Sequence, residues 1–147
     1  LPKAHPVPKA PAPLRHPAVD DAIAWVKGAF PDAPGNPDTF AWPTAHDEAD
    51  AAYDAFLTDR FADFGPFEDA ISAEHGVVFH SLLTPGLNIG LISPRDVLDR
   101  ALAHSEHHDV PLASLEGFVR QVIGWREYMR RSTSVMPSSW QASASSA

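Results

Sequence analysis

Glu116-Gly117-Phe118-Val119-Arg120-Gln121-Val122-Ile123-Gly124-Trp125-Arg126-Glu127-Tyr128-Met129-Arg130 is the stretch on which the fold turns. With Leu115 before it, its apolar residues Phe118, Val119, Val122, Ile123 and Met129 recur at helical spacing, and Ser114, just after Pro111, is placed to cap such a helix. Arg126 and Arg130 stand one turn apart on one face, while Trp125 and Tyr128, three apart, share another. That pattern suits a surface that combines cationic contacts with aromatic stacking. It equally suits an amphipathic core helix in which Glu127 pairs with Arg130 or Arg131.

The segments before it also read as helices. Ser93 caps and Pro94 takes a first-turn position ahead of the stripe Val97, Leu98, Ala101 and Leu102, which ends near His104 to Asp109. Thr44 with Asp47 forms a capping-box-like start for a helix that carries Ala49, Tyr53, Phe56, Leu57, Phe61 and Phe64 and stops at Gly65-Pro66. Phe67, Ala70 and Ile71 suggest a short helix, and Gly76 to Phe79 an extended link. Val19, Ile23, Val26 and Phe30 predict one more helix, with Asp20 and Asp21 at its positive end and Pro31 as its stop. A turn-rich loop from Asp32 to Pro43 carries Phe40 and Trp42. No segment requires a sheet, so the expected class is all-α. The expected organisation is a Pro-rich linker over 1–43 with one short helix, a helical unit over 44–131, and a low-complexity Ser/Ala-rich tail over 132–147.

Composition bounds the function. The 147 residues, 44% hydrophobic, suffice for one modest core. Fifteen prolines crowd toward the N-terminal side, where Leu1 to Pro17 favours extended, polyproline-like backbone. A net charge of -8 argues against tight, charge-driven nucleic-acid binding by this piece alone, because such binding neutralises phosphates. Without cysteine there is no disulfide, thiolate metal site or cysteine nucleophile. No apolar run approaches the roughly 20 residues of a membrane span, and the start lacks the apolar core of a secretory signal. A soluble cytoplasmic protein, with no membrane partner, is the expectation.

Two further constellations carry chemistry. In His80-Ser81-Leu82-Leu83-Thr84-Pro85-Gly86-Leu87-Asn88-Ile89-Gly90-Leu91, Thr84 reads as an N-cap before a first-turn proline. Ser81 and Thr84 then bring two hydroxyls to a helix start with unpaired N–H groups, an arrangement able to hold a phosphate. The plainer reading is a cap and a hydroxyl satisfying its own backbone. His104 and His108 have the i, i+4 spacing of a metal pair, but no third ligand is evident; histidines at a helix end also suit the negative pole of its dipole. No metal site is assigned.

Taken together, Phe40-Ala41-Trp42-Pro43-Thr44, Phe64-Gly65-Pro66-Phe67-Glu68-Asp69-Ala70, His80 to Pro94 and Glu116 to Arg130 resemble, in that order, the photolyase/cryptochrome family, most closely its bacterial iron-sulfur branch. The resemblance covers about Asp38 to Arg130. It implies the first half of a helical FAD-binding domain whose complete parent uses light to pass an electron from reduced flavin to a pyrimidine photoproduct in UV-damaged DNA. By the same resemblance, His80, Ser81, Leu82, Leu83 and Thr84 wrap the flavin phosphates and Arg126 is a cofactor-side cation. Val122, Trp125 and Tyr128 would then face DNA.

The chain departs from the family pattern at three places. The branch's 4Fe-4S cluster is bound by later cysteines, and this chain has none. Phe67 stands where many photolyases have a tyrosine whose hydroxyl reaches a flavin phosphate. After Arg130, Arg131-Ser132-Thr133-Ser134 replaces the expected glycine and aromatic residues, as a truncation or frameshift would produce. The resemblance implies a piece inactive alone, binding neither FAD nor DNA tightly. A piece of a cryptochrome-type photoreceptor, or a helical remnant that binds nothing, is the alternative.

Overall fold

The computed structural model describes residues 6–9 and 16–135, and among these every regular element is helical. The order is α1 (Pro17–Ala29), a single 3-10 turn (Pro37–Thr39), α2 (His46–Asp59), α3 (Phe64–Phe67), α4 (Thr84–Asn88), α5 (Pro94–His107) and α6 (Leu112–Val135). The all-α expectation therefore holds.

Helix α1 begins where Pro17 supplies a preset φ and the His16 ring nitrogen accepts from the Ala18 N–H, 3.3 Å away. It buries Val19 and Ile23 and leaves Trp25 and Phe30 outside, edge to face at 5.8 Å. An ion pair between Lys27 and Asp38, 2.6 Å, ties it to the 3-10 turn.

The start of α2 differs from the sequence reading. Its N-cap is Ala45, and the working carboxylate is Glu48, not Asp47: Glu48 Oε2 accepts from the backbone N–H of Thr44 at 2.8 Å and of Ala45 at 3.2 Å. The helix also ends earlier than Gly65-Pro66. At Asp59 the Phe56 carbonyl takes the N–H of both Arg60 and Phe61, each at 3.0 Å, and the chain turns before the single-turn α3. Gly65 and Pro66 lie inside α3, whereas Ala70 and Ile71, expected in a second helix, fall outside any helix, with Ile71 92% exposed.

These breaks serve the core. Phe118 of α6 lies at its centre, with ring centroids 5.2 Å from Phe56, 5.3 Å from Phe61 and 5.5 Å from Phe64. A straight helix from 44 to 64 would carry Phe61 and Phe64 about 7 and 12 Å farther along the axis than Phe56; the turn folds them around one ring instead. Tyr53 completes the cluster and donates its hydroxyl to the carbonyl of Val97, joining α2 to α5. Over its ring sits the Arg100 guanidinium, 4.6 Å from the centroid and bridged to Asp50 and Asp54.

Helix α5 follows the sequence: Ser93 Oγ accepts from the Asp96 N–H at 3.1 Å, Pro94 opens the first turn, and Val97 and Ala101 are buried. Helix α6 does not start with a Ser114 cap. Ser114 is already inside it, fully buried, and its hydroxyl is spent on the α3 region, accepting from Gly65 N–H at 2.9 Å and donating to Ala62 carbonyl at 2.7 Å. Nor does α6 stop at 131. The helix runs to Val135, with the hydroxyls of Ser132, Thr133 and Ser134 donating to carbonyls three or four residues earlier. The remainder of the expected tail, 136–147, lies outside the described residues, as do 1–5 and 10–15 of the linker.

Candidate functional site

The segment from His80 to Asn88 reaches α6 through an unusual bend. Leu82 adopts φ 60°, a left-handed conformation that costs a non-glycine residue about 1–3 kcal/mol. The bend buries Leu83 in the core and turns Ser81 and Thr84 to the surface of α6. Helix α4 follows, but Thr84 is its first residue and not its cap; Leu83 holds the cap position, with no side-chain hydrogen bond there. The helix closes at Gly90, whose φ of 79° lets the Leu91 N–H return to the Gly86 carbonyl at 2.8 Å.

Between this segment and α6 lies a cleft of about 190 Å³. Ser81, Leu83 and Thr84 line one side with Leu87 and Asn88, and Val122, Trp125 and Arg126 line the other with Phe118 and Gln121. Six of the site residues expected from sequence thus share one wall-to-wall cavity, although about forty positions separate the two groups. Its floor is the core ring Phe118, while its polar groups are two hydroxyls, two carboxamides and one guanidinium. Arg126 is half-buried and donates Nη1 to the Val122 carbonyl at 2.8 Å, which holds the charge along the helix at the cleft wall.

Other expected residues lie elsewhere. His80 lines a separate polar cavity of about 400 Å³ with Glu68, Asp69 and His75. Leu82 does not line the cleft; it shapes the turn through its backbone. Tyr128 lies one turn along α6 in an open depression shared with Gln121, Gly124 and Trp125, its ring stacked near that of Trp125 at 5.9 Å and 26°. Arg130 does not act with Arg126. Its guanidinium is held by Glu127 at 2.8 Å, and that contact keeps the Glu127 carboxyl below its ordinary range.

Trp125 is 63% exposed, so it is a surface aromatic and not a core one. Asn88 and Gln121 were not singled out from sequence. Gln121 stands one turn before Trp125, a spacing that places both on one helix face. At the far end of α5, the rings of His104 and His108 stack nearly parallel, 3.8 Å between centroids, and the His108 Nδ1 is 2.9 Å from the His104 carbonyl. Burial, then the neighbouring His108, lowers the His104 pKa. Among the described residues no group of three or more His, Cys, Asp or Glu is placed to hold a metal ion, and no helix is long and apolar enough to cross a membrane.

Comparison with known proteins gives a (6-4) photolyase of Agrobacterium fabrum, 37% identical over 110 residues, which is 75% of this chain and 22% of that protein. This likeness supports the photolyase family. An uncharacterized protein, R853, of Acanthamoeba polyphaga mimivirus is 43% identical over 65 residues, 44% of this chain and 50% of the viral protein. The chain therefore spans about a fifth of the photolyase and half of the viral relative. No protein-family model matches.

Proposed function

We propose that this chain is the first half of the helical FAD-binding domain of a light-dependent DNA photolyase of the bacterial iron-sulfur branch, inactive alone. The observation that carries the reading is the single cleft formed by the turn at Ser81 to Thr84 and the α6 face at Val122 to Arg126. Those residues fit part of FAD. A cavity of about 190 Å³ falls below the 300–1,000 Å³ of pockets that bury a whole drug-sized ligand, but it suits a diphosphate, for which Ser81 and Thr84 supply hydroxyls and Arg126 a charge. When bound in the complete parent, the flavin supplies a light-excited electron donor for a pyrimidine photoproduct. The role of this chain is to hold and orient, with Trp125 and Tyr128 presenting an aromatic surface on the DNA side. The family's 4Fe-4S cluster has no ligands here, since the chain lacks cysteine.

Fluorescence titration with FAD tests the reading in two arms. The isolated chain is expected to hold FAD weakly or not at all. The same chain continued by the C-terminal remainder of the Agrobacterium photolyase should bind FAD stoichiometrically, and Arg126→Ala should lower its flavin content. Sub-micromolar binding by residues 1–147 alone would show a complete pocket here, and no binding by the continued chain would remove the cofactor reading.

A further inference from the structure

Arg95, Arg100, Arg120 and Arg130 each have a carboxylate within 4 Å. Arg60, at 3% exposure the most buried arginine of the described residues, has none among them. Its Nε is sealed from solvent and donates to nothing. The two terminal nitrogens make no hydrogen bond either but are not sealed, so the outer edge of the guanidinium is the part that reaches the surface. The Phe56 ring, 5.8 Å from Cζ, attracts the charge without replacing an acceptor. Nor can the position relax. The chain breaks from α2 at Asp59, and the Arg60 backbone is held from both sides, its N–H on the Phe56 carbonyl at 3.0 Å and its carbonyl on the Asp63 N–H at 3.2 Å. Burial lowers the Arg60 pKa, and the exposed Asp59 only partly opposes that effect.

A guanidinium stripped of water and left without an acceptor is costly, and an anion at its outer edge would restore what water supplied. The opening is small and the group is planar. A flat, singly charged carboxylate matches it with two parallel N–H···O bonds, and a tetrahedral phosphate does so less well. We propose that Arg60 is a carboxylate-binding site, whose ligand is a free organic acid anion or an Asp or Glu side chain of the polypeptide that continues this chain in its parent. The second source rests on the reading of the chain as part of a photolyase; the site itself does not.

The test uses the full 147-residue chain with formate as the probe, against chloride and phosphate at equal ionic strength. Formate should raise the melting temperature saturably, by several degrees when it stands at about ten times its dissociation constant, and should shift the Arg60 Nε–H signal in the proton–nitrogen NMR spectrum. Arg60→Met should abolish the formate effect. Arg60→Lys, which keeps the charge and loses the planar fork, should bind formate about 10-fold more weakly, the loss of one charge-assisted hydrogen bond. Should Arg60→Met not fold, the Arg60→Lys affinity and the Nε–H shift decide. The chain continued by the C-terminal remainder of the Agrobacterium photolyase separates the two sources. Loss of the formate effect there, with Arg60→Met now lowering the melting temperature, identifies a side-chain carboxylate, and a persistent effect identifies a free acid. A continued chain that binds no FAD removes the photolyase reading and leaves the formate result in place. Equal melting temperatures of the 147-residue chain in formate and chloride, or a formate effect that survives Arg60→Met, overturns the proposal. A phosphate effect as large as that of formate overturns the assignment of a carboxylate.

Discussion

Gly65 and Ser114 meet with no space between their backbones: the Gly65 N–H donates to Ser114 Oγ at 2.9 Å, and a Cβ on Gly65 would lie 2.7 Å from the Ser114 nitrogen. This contact seats α3 on the first turn of α6 and so sets where Phe118 enters the core. Gly65→Ala is expected to destabilise the chain by about 1–3 kcal/mol, because the added methyl meets backbone that has no rotamer to yield. Ser114→Ala should cost about 1–3 kcal/mol for the buried Gly65 N–H and Ala62 carbonyl left unpaired. Urea denaturation of both variants checks this, and a midpoint unchanged for either would show that the junction is loose.

Phe118 should be the most sensitive core position. Its ring lies within 5.2 to 5.5 Å of three other phenylalanine centroids, so truncation leaves a cavity surrounded by rigid groups that relax poorly. Phe118→Ala is expected to cost about 3–5 kcal/mol, enough to unfold much of a marginally stable domain. Loss of amide dispersion in the NMR spectrum is the readout. Ile123→Ala, on the exposed side of the same helix, should change little.

Acid should weaken the end of α5. The His104 pKa is depressed in the folded chain, first by burial and then by the stacked His108. The unfolded chain, with a histidine pKa near 6.5, therefore takes up the proton first. This contribution is fully present above about pH 6.5 and is lost as pH falls from there through the depressed folded value. Melting temperatures between pH 8 and pH 5 should fall more steeply for the unaltered chain than for His104→Gln. Parallel curves would show that the pair does not govern acid stability.

Trp125→Ala should separate binding from folding. As an exposed residue it adds little to the core, so the melting temperature of this chain should stay nearly constant. In the chain continued by the C-terminal remainder of the Agrobacterium photolyase, the proposed function predicts that lesion-DNA affinity should fall by roughly 5- to 150-fold, as for loss of one base-stacking contact. A large drop in melting temperature would place the indole in a structural role.

The helices were legible in the sequence because the signals that make them are local. Ser93 before Pro94, the i, i+3/i+4 apolar stripe of α5 and the heptad-like spacing from Leu115 to Val122 involve neighbours within one or two turns. Glu48 was missed as the capping carboxylate because two acids, Asp47 and Glu48, stand side by side, and the cap falls on Ala45 instead of Thr44, which moves the third helical position from Asp47 to Glu48. The break of α2 at Asp59 was hidden because Phe61 and Phe64 continue its periodicity, although they reach Phe118 by a turn.

The site divides in the same way. Residue types in two separate segments suggested an anion turn and an aromatic, cationic helix, and the sequence by itself carried both. Only the tertiary structure decided that Ser81 and Thr84 share a cleft with Val122, Trp125 and Arg126, that His80 turns to another cavity, and that Arg130 is taken by Glu127. It also gave Ser114 to Gly65 in place of its own helix end. The physical reason is range: helix formation is fixed by hydrogen bonds and side chains three or four residues apart, whereas a cleft exists only where non-local packing brings two already formed surfaces together.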